Sequence, residues 1–189
     1  MNGNLSPEAQ ARIKDWQENY RVNRDRISWD EKWIAQAFLN AKRSHDAQTR
    51  CGAVLVNRDN VLISEGYNGF MRGIDDSVLP NIRKDRAKYP YFIHAEENAL
   101  LNAVREGRST NGAKCYITGV PCITCFQHLW QAGINEIITA DSSINMIEND
   151  TEYILQREIL EYLIRQSGQY FVVRHLDFDE TILDCLSDC

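Results

Sequence analysis

The sequence predicts an α/β fold, a three-layer α/β/α sandwich around a central, mostly five-stranded mixed sheet. Two observations predict it. Segments with helical period alternate along the chain with short β-type runs, and the helices fall between strands often enough to cover both faces of a sheet. With 189 residues, 43% of them hydrophobic, the chain is also long enough to bury a core in one domain.

The elements follow in order. Residues 7–24 read as a helix: Ser6 can cap it, Pro7 suits the first helical position, and Ile13, Trp16 and Tyr20 share a face. A second helix starts at Ser28-Trp29-Asp30-Glu31, which has the form of a capping box, and its apolar face is Trp33, Ile34, Ala37, Phe38 and Ala41. The period then changes. Ala53–Val56 and Val61–Ile63 are β-type runs, and Asn57–Asn60 between them reads as a hairpin turn. Residues 67–92 form a long polar connection holding Gly69, Gly73, Pro80 and Pro90, and a loop of that length usually carries function or is disordered.

Helical period returns over 95–106 through Ala99, Leu100, Ala103 and Val104. Cys115–Thr118 reads as a strand, 122–132 as a helix closed by Gly133, and 134–140 as another strand. A helix over 151–167 stops at Gly168, and 169–175 is the last strand. The organisation is an N-terminal helical extension over 1–27, a single domain over 28–175, and an acidic, solvated tail over 176–189 with Asp177, Asp179, Glu180, Asp184 and Asp188.

Charge and composition narrow the function. A net charge of −6 disfavours a nucleic-acid partner, since general polynucleotide binders carry a basic excess. No apolar run has the form of a secretory signal or the length of a membrane span, which implies a cytoplasmic chain with no membrane partner. Its six cysteines are then expected as thiols rather than disulfides.

Two of those thiols sit in a spacing with chemical meaning. His94-Ala95-Glu96 opens one predicted helix and Pro121-Cys122-Ile123-Thr124-Cys125 opens the next. Cysteines three apart at a helix start project to one side, and the helix N-terminus favours their thiolates. One imidazole and two thiolates give three ligands for a tetrahedral Zn2+, one per subunit, with the fourth position left for water. Glu96 then stands beside that water as a proton shuttle.

Other arrangements are weaker. Cys115 is the nearest candidate for a fourth, structural ligand, but its strand pattern assigns it to the core, and Cys51 likewise opens a buried strand. Cys185 and Cys189 fall in the acidic tail, and His128 reads as a surface or packing residue. Ser44-His45-Asp46 has the letters of a hydrolase triad, but adjacent side chains cannot converge as a triad requires.

The histidine-x-glutamate and proline-cysteine-x-x-cysteine pair is the mark of zinc-dependent base deaminases. From about Trp33 to Ala140 the chain resembles the deoxycytidylate (dCMP) deaminase family of the cytidine deaminase-like superfamily. The segments that carry the resemblance are Gly66-Tyr67-Asn68-Gly69, Asp75-Asp76-Ser77-Val78-Leu79-Pro80, and Lys88 through Ala99 with His94, Glu96 and Asn98 inside it. Ser44-x-Asp46 ahead of Gly52-Ala53-Val54 is similar as well.

What the resemblance implies is a cytidine deaminase-like fold and hydrolysis of dCMP to dUMP and ammonia. By the same resemblance, zinc hydroxide is expected to attack C4, and Glu96 to move protons to N3 and to the departing amine. It also implies that Asn68 touches sugar or base, that the Ala95 backbone and residues 119–121 orient the ring, and that Ser44 and Tyr91 line the substrate. Arginines suit the phosphate, with Arg50 and Arg72 as candidates beside Arg83, Lys84, Arg86 and Lys88 of the loop. Arg105 matches a position that the resemblance gives to contact across subunits or with phosphate. Family members are commonly homo-oligomers, and many respond to nucleoside triphosphate effectors, here dCTP and dTTP with Mg2+.

The chain departs from the family pattern at Ala47, Phe70-Met71 and Glu97. Two other functions compete. One is a deaminase acting on adenine or cytosine in RNA or single-stranded DNA, which shares the metal motif but calls for a basic groove and stacking platforms. The other is a catalytically silent zinc scaffold, which has no use for Glu96.

Overall fold

The computed structural model describes residues 5–20, 26–77, 88–140, 151–179 and 181–184. A five-stranded mixed sheet forms its centre, in the order β2-β1-β5-β6-β7. The strands are β1 (Gly52–Val56), β2 (Leu62–Tyr67), β5 (Lys114–Ile117), β6 (Glu136–Ala140) and β7 (Val172–Leu176). β1 pairs antiparallel with β2 and β5, while β5, β6 and β7 run parallel.

Alternation along the strands builds two cores. Val54, Val56, Tyr116, Ile138 and Ala140 point to one face, where they meet Trp33, Ile34 and Ala37 of α2 (Trp29–Ala41). Ala53, Leu55, Cys115, Ile117 and Ile137 point to the other. There they meet α3 (Ala95–Arg105), α4 (Ile123–Gln131) and α5 (Thr151–Gln166) through Ala99, Phe126 and Ile164. Helices on both faces give the expected three layers. The capping box also forms, with Glu31 N–H donating to Ser28 Oγ and Ser28 N–H to the Glu31 carboxylate.

Two glycines let helices touch the sheet backbone. A Cβ at Gly52 would lie 1.9 Å from the Ala37 carbonyl oxygen, and one at Gly66 would lie 2.3 Å from the Ala95 oxygen. Gly52 therefore seats α2 on one face and Gly66 seats α3 on the other. Three side-chain bonds fix α3 to the edge strand β2. Asn98 donates to the Tyr67 carbonyl at 2.9 Å, Asn102 to Glu65 at 2.8 Å, and Ser64 Oγ to Ala99 at 2.7 Å. Edge carbonyls that would otherwise face solvent thus hold the helix that carries His94 and Glu96.

Several boundaries differ from those the sequence predicts. The first helix, α1, runs Pro7–Asn19, because Tyr20 turns extended; residues 21–24 of its predicted length lie outside the described residues. Strand β2 extends four residues past Ile63, its polar Ser64 and Glu65 being satisfied at an edge. Within the predicted 67–92 loop, β3 (Gly69–Phe70) pairs with β4 (Phe92–Ile93), preceded by a 3₁₀ turn at Tyr89–Tyr91. The acidic tail does not begin as a solvated end: Leu176 closes β7 and Phe178 stacks on Phe38 of α2, with ring centroids 5.4 Å apart. A short α6 (Thr181–Asp184) follows. Pro80, Arg83, Lys84, Asp85, Arg86, Glu180, Cys185, Asp188 and Cys189 lie outside the described residues. No helix among those described is long and apolar enough to cross a membrane.

Candidate active site

Two helix N-termini meet at the carboxyl end of β5. His94 is the N-cap of α3 and Cys122 the N-cap of α4, both with extended backbone. Cys122 thus stands one position before the first helical residue, and its sulfur accepts from the Cys125 N–H at 3.5 Å. Pro121 precedes the cap instead of opening the helix.

The ligand atoms of His94, Cys122 and Cys125 lie within 4.8 Å of one another. His94 Nδ1 is 3.5 Å from each sulfur. A tetrahedral zinc with Zn–S of about 2.3 Å and Zn–N of about 2.1 Å separates sulfur and nitrogen by about 3.5 Å, so the donor set fits the ion. Cys115 is not part of it: it is fully buried in β5 among core residues, as the sequence predicts.

The three side chains polarise one another. The Cys122 thiol is drawn down to about 4, chiefly by its bond with Cys125 and, against burial, by His94 and the Cys125 N–H. His94 is raised to about 9, first by Cys122, and further by the charges of Glu96 and Glu97 against burial. Cys125 moves the other way, pushed up by the neighbouring Cys122 sulfur and by burial. The pocket thus favours a negative sulfur beside a positive imidazole when no ion is bound, and a metal there would displace the protons of His94 and Cys125, because all three side chains ligate in their deprotonated forms.

Glu96 stands one residue into α3, only 4% exposed. Burial raises its carboxyl above the ordinary value, while the nearby His94 charge, its own backbone N–H and Cys125 pull the other way. A buried carboxyl beside two sulfurs, with raised proton affinity, is suited to hold and pass a proton.

The other predicted residues fall into two groups. Near the ligands, Ala95 is fully buried at the first turn of α3, and Tyr91 is exposed in the 3₁₀ turn that leads to His94. Ser44 and Asn68 lie in a buried polar cluster. Ser44 Oγ donates to the Asn68 carbonyl at 2.8 Å; the Asn68 amide donates to Thr49 at 2.8 Å and to Asp46 at 3.3 Å, and accepts from the Cys51 N–H at 2.7 Å. Asp46 in turn pairs with Lys88, both side chains almost fully buried. Arg50 Nε donates to the Asp46 carbonyl at 3.3 Å, with Arg50 itself exposed. Because Thr118 N–H donates to the Gly52 carbonyl at 3.1 Å, β1 begins where β5 ends, and Arg50 stands at the active-site end of the sheet.

Arg72 and Arg105 stand elsewhere. Arg72 donates to Asn102 at 2.8 Å, and Arg105 ends α3. At about 1.5 Å of rise per residue, those points lie roughly 12 and 16 Å along the helix from His94. The Ser44-His45-Asp46 letters form no triad: His45 instead packs against Phe70 and Phe92, with centroids 4.7 and 5.4 Å away.

The sequence sets Lys88 with the basic loop residues that suit a phosphate, whereas the structure buries it on Asp46, and the sequence gives no place to Tyr153, whose hydroxyl donates to the Pro121 carbonyl. Lys88 did carry a signal, since it and Asp46 both lie in segments that bear the resemblance. Tyr153 carried none.

The family model described as the cytidine and deoxycytidylate deaminase zinc-binding region matches residues 27–141, more than half of the chain. The chain belongs to this family. Among the family's curated members, deoxycytidylate deaminase of Mus musculus is 34% identical over 159 residues, covering 82% of this chain and 88% of its own. That of Homo sapiens is 41% identical over 118 residues, 60% of this chain and 65% of its own. The fold resembles the dCMP deaminase of cyanophage S-TIM5 in complex with dCMP and dUMP, at a TM-score of 0.60 and 20% identity, covering 92% of this chain and 100% of that one.

Proposed function

We propose that this deaminase-family chain hydrolyses dCMP to dUMP and ammonia. The observation that carries the reading is the union of His94, Cys122 and Cys125 in tetrahedral spacing with a buried Glu96. Likeness to deoxycytidylate deaminases over most of the chain supports the choice of substrate.

His94, Cys122 and Cys125 would hold a zinc ion, which would supply Lewis-acid activation of water near neutral pH. The residues of the chain do the rest. Glu96 takes a proton from the water that adds to the ring and delivers it to N3 as the C4–O bond forms, then takes the proton of the new C4 hydroxyl and passes it to the amine as the C4–N bond breaks. Ala95 presents its main chain at the first turn of α3, ahead of the helical ladder, to orient the base. Ser44 and Asn68 hold the wall of the pocket through the Asp46–Lys88 cluster, and exposed Arg50 is positioned for a phosphate. Arg72 and Arg105, set along α3, serve a neighbouring chain in a homo-oligomer. The exposed Ile13 and Trp16 on α1, with Tyr20 just beyond its end, support such association.

Among the described residues, His94, Cys122 and Cys125 are the one group of three or more metal-ligating side chains within reach of one ion; the dCTP and dTTP effectors with Mg2+ belong to this proposal through the resemblance. Ammonia release from dCMP, CMP, deoxycytidine and a cytosine-containing oligonucleotide, measured side by side, tests the function. Turnover confined to dCMP bears it out. Activity on the oligonucleotide alone moves the chain to the nucleic-acid deaminases with the metal chemistry unchanged.

A further inference from the structure

The metal ligands come from the segment that the family model covers, yet the loop carrying one of them is gripped from outside it. Tyr153 lies in the first turn of α5, beyond residue 141, and is only 7% exposed. Its hydroxyl donates to the carbonyl of Pro121, the residue immediately before Cys122.

That carbonyl is a sensitive point. The first acceptor in the ladder of α4 is the Cys122 carbonyl, which takes the Phe126 N–H at 2.8 Å. The Pro121 carbonyl therefore stands outside the helix, in a buried residue, where an unmade bond is costly. Cys122 itself has φ −65° and ψ 164°, so helical bonding does not set the direction of its backbone. Proline contributes no N–H to steady the turn. The Tyr153 hydroxyl adds a constraint from α5 to the carbonyl that precedes Cys122.

Electrostatics agree with the closeness. Burial pushes the Tyr153 hydroxyl up to about 12; Arg157 draws it down, and the negative Cys122 and Glu96 push it further up. It stays a neutral donor at any pH where the enzyme works, so its bond to Pro121 does not titrate away.

We propose that Tyr153 is a positioning residue for the metal centre, its hydroxyl fixing the Pro121–Cys122 peptide so that the Cys122 sulfur keeps its place as a ligand. The assignment rests on the metal reading above. Loss of a hydrogen-bond partner of a ligand itself lowers metal affinity or activity by about 10–100-fold, and Tyr153, which acts through the peptide before Cys122, is expected at the lower end of that range.

The test is Tyr153→Phe in the full zinc-loaded chain, which deletes one oxygen and keeps the ring in the core. Zinc release is followed with a chromophoric chelator, the cobalt-substituted proteins are compared by visible absorption, and kcat/KM is measured on dCMP. Ile164→Ala serves as control, because it loosens the same helix through a buried apolar contact remote from Pro121. Expected are zinc release at least tenfold faster in Tyr153→Phe, a shifted cobalt band and reduced kcat/KM, with release from Ile164→Ala near the wild-type rate. Wild-type-like release and kcat/KM in Tyr153→Phe would overturn the assignment alone. So would equally fast release from Ile164→Ala, which would make docking of α5 the cause. A wild-type chain that holds no zinc overturns the metal reading and this assignment together.

Discussion

Replacing Lys88 with methionine tests the buried cluster that supports the active site. Lys88 and Asp46 have side chains only 3% and 2% exposed, and the ammonium also lies 5.2 Å from the Phe92 ring centroid. Methionine keeps most of the stem but strands the carboxylate. Breaking a buried pair from one side costs about 3–5 kcal/mol, because the remaining charge is left uncompensated. Asp46 keeps N–H bonds from Gln48 at 2.8 Å, Thr49 at 3.1 Å and Asn68 at 3.3 Å, so the lower end applies. A loss of about 3 kcal/mol lowers Tm by roughly 6–12 °C for a chain of this size.

The pH dependence has a definite sign. Burial raises the Asp46 carboxyl, but the Lys88 bond and the Gln48 and Thr49 N–H groups outweigh it, and the net shift is downward from 3.8. A carboxyl depressed in the folded state contributes stability above its unfolded value, and that stability is lost as pH falls through the folded one. In Lys88→Met the cation is gone and burial acts against fewer opponents, so Asp46 takes up its proton at higher pH. The gap between wild type and variant is therefore widest near neutrality and narrows toward pH 4. Urea unfolding followed by circular dichroism at a series of pH values measures it. A gap under about 1 kcal/mol at pH 7, or one that widens on acidification, would refute the reasoning.

Three further changes have expected outcomes. Gly66→Ala drives a methyl against the Ala95 oxygen and the Ala99 nitrogen, 2.3 and 2.4 Å from the new carbon. It should lose 3 kcal/mol or more by the same unfolding assay, since overpacking typically costs about 1–3 and here the neighbours are backbone. Cys122→Ala removes a ligand, and metal analysis after dialysis should find zinc below a tenth of the wild-type content, as an order-of-magnitude expectation. Arg174→Ala cuts β7 from Asp30 at 2.7 Å and Glu136 at 2.6 Å. Its half-open position limits the loss to about 1–2 kcal/mol, and the loss should shrink in high salt.

Which features were legible in the sequence follows from which signals are local. The capping box at Ser28, the apolar stripe of Trp33, Ile34 and Ala37, and the alternation through β1 announce themselves over a few residues. So do His94, Glu96, Cys122 and Cys125, because helix starts fix their relative directions. The β3–β4 ribbon was hidden, since strands of two residues have no period to detect. The packing of Phe178 was hidden by the acids around it, which gave the tail a solvated look. Lys88 read as a loop charge because its partner, Asp46, is 42 residues away. Arg72 was grouped with the site by its charge, and only its bond to Asn102 along α3 sets it apart.

The most direct test of the central claim is dCMP turnover of Glu96→Gln, measured beside its zinc content. Glutamine keeps the shape of the side chain and cannot shuttle a proton. One zinc per chain, with turnover reduced about 10²–10⁴-fold or more, is the predicted result. A variant that keeps its zinc and most of its rate would contradict the assignment of Glu96 as the group that moves the protons.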